Sequence, residues 1–441
     1  MNEIGRATSK PYIKFDNDAS SCYDRILPQL ASIASRQQGI PNSIARLNNS
    51  TLHQARYRLR TALGVSKEYY THTEKKPIYG TGQGSGNSPI IWCFLSSALF
   101  TAHAEKAHGA IFTTPTYDYY TKIGMVGFVD DSTGQVNDFL ADKQPDQATL
   151  MGRMQHDAQL WYDLLRASGG ELELSKCSFH NVRWGFTSKG SPFPDPERDD
   201  EATITVKRYD DQHDGTDIRQ LDPTQAHKTL GHWKEPAGRQ YDQREQLQRK
   251  CDKLATTAHN SPMNRKDAWV YYFAIFLPSI TYPLANSFFK QLELKRLTHP
   301  ATKRIAAKCG FARSTPSAVL YGPAALGGAS FRQCYVEQGI GQLQLFLRHW
   351  RQPETQVGRL SRVAVHWTQF QCGTSTSFLN DVHTEHPHTS SKWHESLRTF
   401  LRHSGTNLTL DNDGVLGVQR QHDTHIMDRV LSSKQFKDDE I

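Results

Sequence analysis

The spacing of apolar and polar positions changes character several times along the chain. Tyr12 to Asp18 (YIKFDND) reads as a short strand, followed by a helix in which Ile26, Leu30 and Ile33 form an apolar stripe. Pro28 falls in or near the first turn of that helix, where proline is tolerated. Ile78 to Asn87 (IYGTGQGSGN) is a glycine-rich loop, after which Ser88 and Pro89 are expected to act as N-cap and first residue of the apolar helix IIWCFLSSALF. Lys122 to Thr133 (KIGMVGFVDDST) is an apolar run broken by two aspartates, which predicts strand, tight turn, strand. Between Met151 and Ala167, Met154, Leu160, Trp161, Leu164 and Leu165 share one side of a helix that Gly169 and Gly170 end. Glu171 to Phe186 suggests another strand or hairpin.

The second half reads differently. Pro192 to Leu221 is polar and rich in Pro and Asp, with a small hairpin expected around ITV and DIRQL, as a boundary or surface insertion. From Lys228 onward the pattern is mainly helical, and after about Pro353 it becomes rich in His, Ser and Thr. The closing SSKQFKDDEI has no packing pattern, and no repeat of solenoid type occurs. Ala268 to Ala285 (AWVYYFAIFLPSITYPLA) is uncharged throughout and long enough to raise the question of a membrane span. Pro278, Pro283 and three tyrosines favour a proline-broken buried helix, so no membrane partner is expected.

Composition narrows the class. The 441 residues are 37% hydrophobic and 22% charged, which excludes a wholly disordered chain and a multi-span membrane protein. Of seven cysteines even the closest two, Cys309 and Cys334, are well separated and no CxxC pair occurs, so neither a zinc ribbon nor a disulfide framework is suggested. The first residues contain no apolar signal region, and an intracellular, non-secreted protein is expected, nucleus and cytoplasm being indistinguishable. The net charge of +7 is unevenly spread: Lys228 to Lys308 holds 15 Lys and Arg against 6 Asp and Glu. A surface that grips polyphosphate would look like this, and so would a solvated helical face with mixed i,i+4 pairs, as in QREQLQRKCDKL.

Two features carry candidate chemistry. Asp18 ends one apolar strand and Asp130-Asp131 sit at the tip of another, so neighbouring strands could bring three carboxylates together. Such a cluster repels itself unless divalent cations neutralise it, and hard oxygen donors suit Mg²⁺, with Mn²⁺ as a substitute. Two ions ~3.5–4 Å apart would activate an attacking hydroxyl and stabilise a leaving oxygen. An Asp-Asp pair alone is also an ordinary turn. Gly80, Gly82, Gly84 and Gly86 alternate, which matches neither GxGxxG nor GxxxxGK[ST] and excludes those nucleotide loops on spacing. What the loop offers is close backbone approach to a ligand before a helix N-terminus.

In order, FDNDASSCYDRI, GTGQGSGNSPIIW, GFVDDST, LSKCSFH and HKTLG resemble palm motifs A to E of reverse transcriptases, most closely those of non-LTR retrotransposons. The five signatures span Phe15 to Gly231, and GPAALGG at Gly322 to Gly328 is similar to a glycine-rich stretch downstream of the thumb. The resemblance implies an α+β right-hand polymerase palm, an antiparallel sheet with packed helices, followed by a mainly helical thumb and extension. It implies RNA-templated DNA synthesis with two Mg²⁺ ions, and an RNA template, a DNA primer, a dNTP and other parts of a retroelement polyprotein as partners. Asp18, Asp130 and Asp131 match the metal ligands. Asp18 is preferred to Asp16 because an aromatic, Tyr23, lies five residues on. Tyr23 matches the steric gate against a 2′-hydroxyl, Gln83 and Gly84 the contacts to nucleotide and template, and Lys176 a proton donor to pyrophosphate. Lys228 and Gly231 match the primer grip, and Arg249, Lys250 and Lys253 are expected to meet nucleic acid on the thumb.

The implied layout is palm over 1–190, polar insertion over 191–222, primer grip and thumb over 223–345, and a helical or polar extension over 346–441. Only the short segment Met1 to Lys14 precedes Phe15, where the family carries basic fingers, so the fingers are expected to be largely missing. No CCHC knuckle follows, and no RNase H acidic set can be assigned in the tail. The rival reading is a non-catalytic, nucleic-acid-binding remnant, and a metal-dependent nuclease is a weaker third, in which Tyr23 and the glycine loop would have no function. His383, His386, His388 and His394 could hold zinc, though a solvated loop is the simpler expectation. Asp411-Asn412-Asp413-Gly414 starts like a calcium loop, but His422 stands where its last ligand should be Glu.

Overall fold

The structure, a computed structural model, describes residues 1–20, 22–73, 79–82, 84–137, 146–188, 192–195, 202–209, 215–410 and 424–432. Its first unit is built on β1 (Tyr12–Asp18), β2 (Met125–Phe128), β3 (Asp131–Asn137), β4 (Ser178–Val182), β5 (Ile204–Val206) and β6 (Thr216–Leu221). They form one six-stranded sheet in the order β5-β6-β4-β1-β3-β2. Among the helices that accompany it are α1 (Pro28–Gln37), α2 (Ser88–Lys106) and α3 (Gln147–Ala167). The period-two pattern of β1 explains its central position. Ile13 and Phe15 enter a core with Leu95, Met154, Trp161 and Phe179, while Lys14, Asp16 and Asp18 point to the other face. Asn17 shares the core face and accepts from the Trp161 indole at 3.0 Å, which satisfies a buried polar group.

Several expectations change here. The sheet is mixed rather than antiparallel, because β4 and β6 pair in parallel. The long connection between them permits this crossover: it forms a separate hairpin of Trp184–Phe186 with Pro192–Pro194 and then β5, which pairs antiparallel with β6. The polar stretch expected as a surface insertion thus supplies two strands of the main sheet, and Ile204, Val206 and Ile218 enter the core. Ile33, expected on the buried stripe, is 44% exposed, and Ile26 is buried but precedes α1. Ser88 lies inside α2 and does not cap it; its hydroxyl donates to the carbonyls of Thr81 and Gly82.

A hairpin of β7 (His227–Thr229) and β8 (His232–Lys234) leads into the helical half. Leu230 and Gly231 both have positive φ (50° and 78°), the tight mirror-image turn that matches strand twist. Next come α4 (Tyr241–Asn260), α5 (Gln291–Lys308) and α6 (Cys334–Trp350). Between α4 and α5, Arg265–Asn286 is long and apolar enough to cross a membrane. Yet Tyr272, Phe276, Ile280 and Leu284 are fully buried in a core shared with α4, α5 and α6. Pro278 near the start of Leu277–Thr281 follows a π-helical turn, Tyr271–Phe276, whose wider loop leaves space for the missing N–H.

The boundary expected at residue 345 falls within α6. Cys334 and Tyr335 serve the second core, while Phe346 and Trp350 serve a third, formed with Val365, Phe378, Leu397 and Leu401. That third core is carried by α7 (Gln356–Cys372) and α8 (Lys392–His403). His394, expected in a solvated loop, is a buried residue of α8 held by Thr368 and Ser391 hydroxyls at 2.8 and 3.0 Å. Burial lowers its imidazole to about 4. The four tail histidines do not converge among the described residues. The calcium-like segment at 411–414 and the tail from 433 lie outside the described residues.

Candidate active site

The register of β1 with β3 sets Asp18 directly opposite Asp131. β2 and β3 are joined by a two-residue turn, Val129-Asp130, and the Asp130 carbonyl accepts from the Ala19 N–H at 3.0 Å. That bond ties the turn to the end of β1. As a result, ligand atoms of Asp18, Asp130 and Asp131 all lie within 4.8 Å of one another. Asp130 is exposed and the other two are half-buried. Burial, then the charges of Asp130 and Asp18, raise the Asp131 carboxyl above its usual range. The Leu230 backbone N–H, at the β7–β8 turn, partly offsets this by donating to it.

The turn itself is held from the helical side. Val129 adopts φ 58°, an unusual conformation for a β-branched residue, and the Trp92 indole N–H donates to its carbonyl at 2.7 Å. Gly127 is required by packing, since a Cβ there would lie 2.2 Å from the Phe100 ring. Trp92 closes the stretch that resembles motif B but carries no role there, and Phe100 lies outside every such stretch, so only their place in an apolar helix could have pointed to this support.

Lys176 reaches the cluster through backbone contacts. Ser20 N–H donates to Glu171 at 2.8 Å and Glu173 N–H to Asp18 at 2.9 Å, which sets the short 3₁₀ turn Leu174–Lys176 beside β1. The Lys176 Nζ then lies 2.7 Å from Asp18 Oδ2. This hydrogen bond, with the charge of Asp18, raises the ammonium pKa although the side chain is largely exposed.

The glycine loop docks against the same corner. Gly80 N–H donates to Ile26 O and Thr81 N–H to Tyr23 O, both at 2.8 Å. A Cβ on Gly80, whose φ is +95°, would fall 2.5 Å from Asp24 Cα, so only glycine permits this approach. Tyr23 packs half-buried against the first core. Burial and, to a smaller extent, Cys22 and Asp130 raise its hydroxyl. Gly84 also has positive φ (93°) with open space around it, and Gln83 lies outside the described residues.

A cavity of ≈ 510 Å³ opens beside Asp131 between β2–β3 and the β7–β8 hairpin, with Phe128, Thr133, Leu230 and Trp233 in its wall. Lys228 is exposed on β7, and Gly231 sits at the hairpin turn. On α4, Arg249 pairs with Glu245 at 2.6 Å and Lys250 donates to the Ser279 carbonyl at 2.7 Å. Lys253 is exposed on the same helix. Of the three basic residues expected at a nucleic-acid surface, two are thus engaged within the chain. Asp16 is buried in an ion pair with Lys14 and is not among the three carboxylates that converge.

An all-carboxylate donor set at this spacing suits a hard divalent cation.

No protein-family model and no curated protein matches the chain. Among solved structures it is similar to a telomerase chain from Candida albicans, at 11% identity and TM-score 0.33, covering 83% of this chain. A telomerase chain from Candida tropicalis is similar at 14% identity and TM-score 0.28, over 78% of this chain. Both were solved with a fragment of telomeric RNA, and this chain spans about half the length of each (48%).

Proposed function

We propose that the chain is the palm and thumb portion of a retroelement reverse transcriptase, which adds deoxynucleotides to a primer 3′-hydroxyl on an RNA template. The observation that carries this reading is the convergence of Asp18, Asp130 and Asp131, drawn from strands far apart in sequence, within 4.8 Å. The three carboxylates would hold magnesium, which when bound supplies a more acidic attacking hydroxyl and counter-charge for the phosphate oxygens.

The chain's own residues do the positioning. Tyr23 walls the nucleotide site and excludes a 2′-hydroxyl. The loop at Gly84 admits close backbone approach, and the resemblance to motif B assigns Gln83 a nucleotide contact. Lys176, held next to Asp18, keeps a proton that it can deliver to the departing pyrophosphate. The β7–β8 turn, fixed to Asp131 by the Leu230 N–H, sets the primer end against the carboxylates. Little covalent chemistry is asked of the protein: orientation and electrostatics supply the rate.

Primer extension on an RNA template tests this, with wild type beside Asp130→Ala. Asp130 is exposed, so its loss leaves the fold intact. Mg²⁺-dependent extension by wild type, reduced by at least about 10³-fold in the variant, supports the polymerase. Salt-sensitive binding without extension by either protein sinks it in favour of a non-catalytic nucleic-acid-binding remnant.

A further inference from the structure

Away from the carboxylate centre, the turn after α2 meets the middle of α3, and three donor side chains converge there. His108 Nδ1 and His156 Nδ1 each lie 3.1 Å from the same atom, Oδ1 of Asp157. The two imidazoles meet edge to face, centroids 4.9 Å apart and planes at 82°. Asp157 is only 3% exposed and is fixed by two backbone donors: His108 N–H on Oδ1 and Gly109 N–H on Oδ2, both at 2.9 Å. The histidine side chains are half open to solvent, at 45% and 50%.

Hydrogen bonding alone serves this arrangement poorly. A carboxylate oxygen has about two lone-pair sites, yet one backbone N–H and two imidazole nitrogens, which could bond to it only as donors, crowd onto Oδ1. Replacing two ring protons by one cation removes the excess. The spacing also suits a cation. Ligand bonds of ~2.0–2.2 Å around a tetrahedral zinc place neighbouring donor atoms ~3.3 Å apart, close to the two 3.1 Å separations. Two imidazole nitrogens and one carboxylate are a donor set for a borderline-soft metal rather than for magnesium. The backbone donors on Asp157 supply the outer contacts that orient a ligating carboxylate.

We propose that His108, His156 and Asp157 bind a divalent transition cation of the zinc class, with water as the fourth ligand. The bound cation joins the turn between α2 and the strand Ala110–Thr113 to α3, and it shares no residue with the carboxylate centre. It acts as a clamp on the helical side of the sheet unit.

Cobalt(II) is the probe. The full chain is stripped with chelator, supplied with excess Mg²⁺ to occupy the carboxylates, and titrated while the visible absorption of low-coordinate Co²⁺ is read. One Co²⁺ per chain, displaced by Zn²⁺, is expected for wild type and for Asp130→Ala. His108→Ala and His156→Ala should each weaken binding by more than about 100-fold, since loss even of an outer partner costs 10–100-fold. Zn²⁺ should raise the melting temperature of wild type but of neither histidine variant. Both histidines are half exposed, so metal-free melts should be unchanged; glutamine forms replace any alanine form that does not fold. No absorption in wild type, a band that persists in both histidine variants, or one lost in Asp130→Ala would overturn the site and leave a hydrogen-bonded aspartate.

Discussion

A charge buried in a sheet is costly unless an opposite charge and hydrogen bonds meet it, and Asp16 shows how β1 manages this. Asp16 is 2% exposed, with Lys14 Nζ at 2.7 Å and the Thr133 hydroxyl at 2.7 Å. Burial alone would raise its carboxyl; Lys14, His227 and the two hydrogen bonds outweigh it and hold the pKa below 3.8. Replacing Lys14 by methionine leaves that charge buried and unmatched, and should cost about 3–5 kcal/mol in urea unfolding. The pH dependence has a definite sign. With the folded pKa depressed, the unfolded chain binds more protons, so this contribution is present above about pH 4 and lost as pH falls through the folded value. The gap between wild type and Lys14→Met should therefore narrow on acidification, starting above about pH 4, where the variant's raised Asp16 takes up a proton, and continuing down to the depressed wild-type value. A gap that stays constant with pH would mean that Lys14 contributes packing rather than charge. Asp131, opposite Asp18 on the same face of the sheet, behaves oppositely: its raised carboxyl works against the fold when ionised.

The elements around the carboxylates are held together by small, specific contacts between segments distant in sequence. The β2–β3 turn depends on one indole of α2, where Trp92 donates to Val129 O, while Val129 is kept at φ 58°. Trp92→Phe keeps the ring in the core and removes the donor, leaving a strained turn without its anchor. A loss of about 1–3 kcal/mol is expected, together with a larger fractional loss of primer extension than of folded protein at the assay temperature. Equal losses would show that the indole merely supports the core. The strand–turn–strand around Asp130 was legible because an apolar run broken by two aspartates has few other solutions. Asp18 followed from its position at the end of a strand and from Tyr23. Trp92 was not legible, since a tryptophan in an apolar helix looks like core whether or not its N–H reaches a carbonyl 37 residues away. The parallel pairing of β4 with β6 was hidden for a related reason: ITV and DIRQL mark two strands, but no local pattern says which edge they join. Ser88 misled because a serine before proline suits an N-cap, whereas the loop carbonyls of Thr81 and Gly82 drew its hydroxyl away.

At the scale of the whole molecule, charge and shape divide the labour. The carboxylates lie at one end of the sheet, and the excess of nine positive charges lies in the segment from Lys228 to Lys308, which carries the β7–β8 hairpin, α4 and α5. The hairpin is one structural link, because Leu230 at its turn contacts Asp131 while β8 leads into α4. On the proposed function, nucleic acid bound by the helical half would reach the carboxylates across this hairpin. Not every basic residue there contributes equally. Arg249 and Lys250 already have partners, although a surface pair such as Arg249–Glu245 is worth only ~0.3–0.5 kcal/mol and opens readily. Lys253 is exposed on the helix face opposite buried Cys251 and Ala255, which makes it the clearest reporter. Lys253→Ala should weaken binding of an RNA–DNA duplex equally for all sequences and leave the melting temperature unchanged. It should also reduce the slope of log affinity against log salt by about 0.9, one phosphate contact fewer. An unchanged slope alongside weakened binding would place the nucleic acid elsewhere and reduce the positive charge of α4 to an ordinary solvated face.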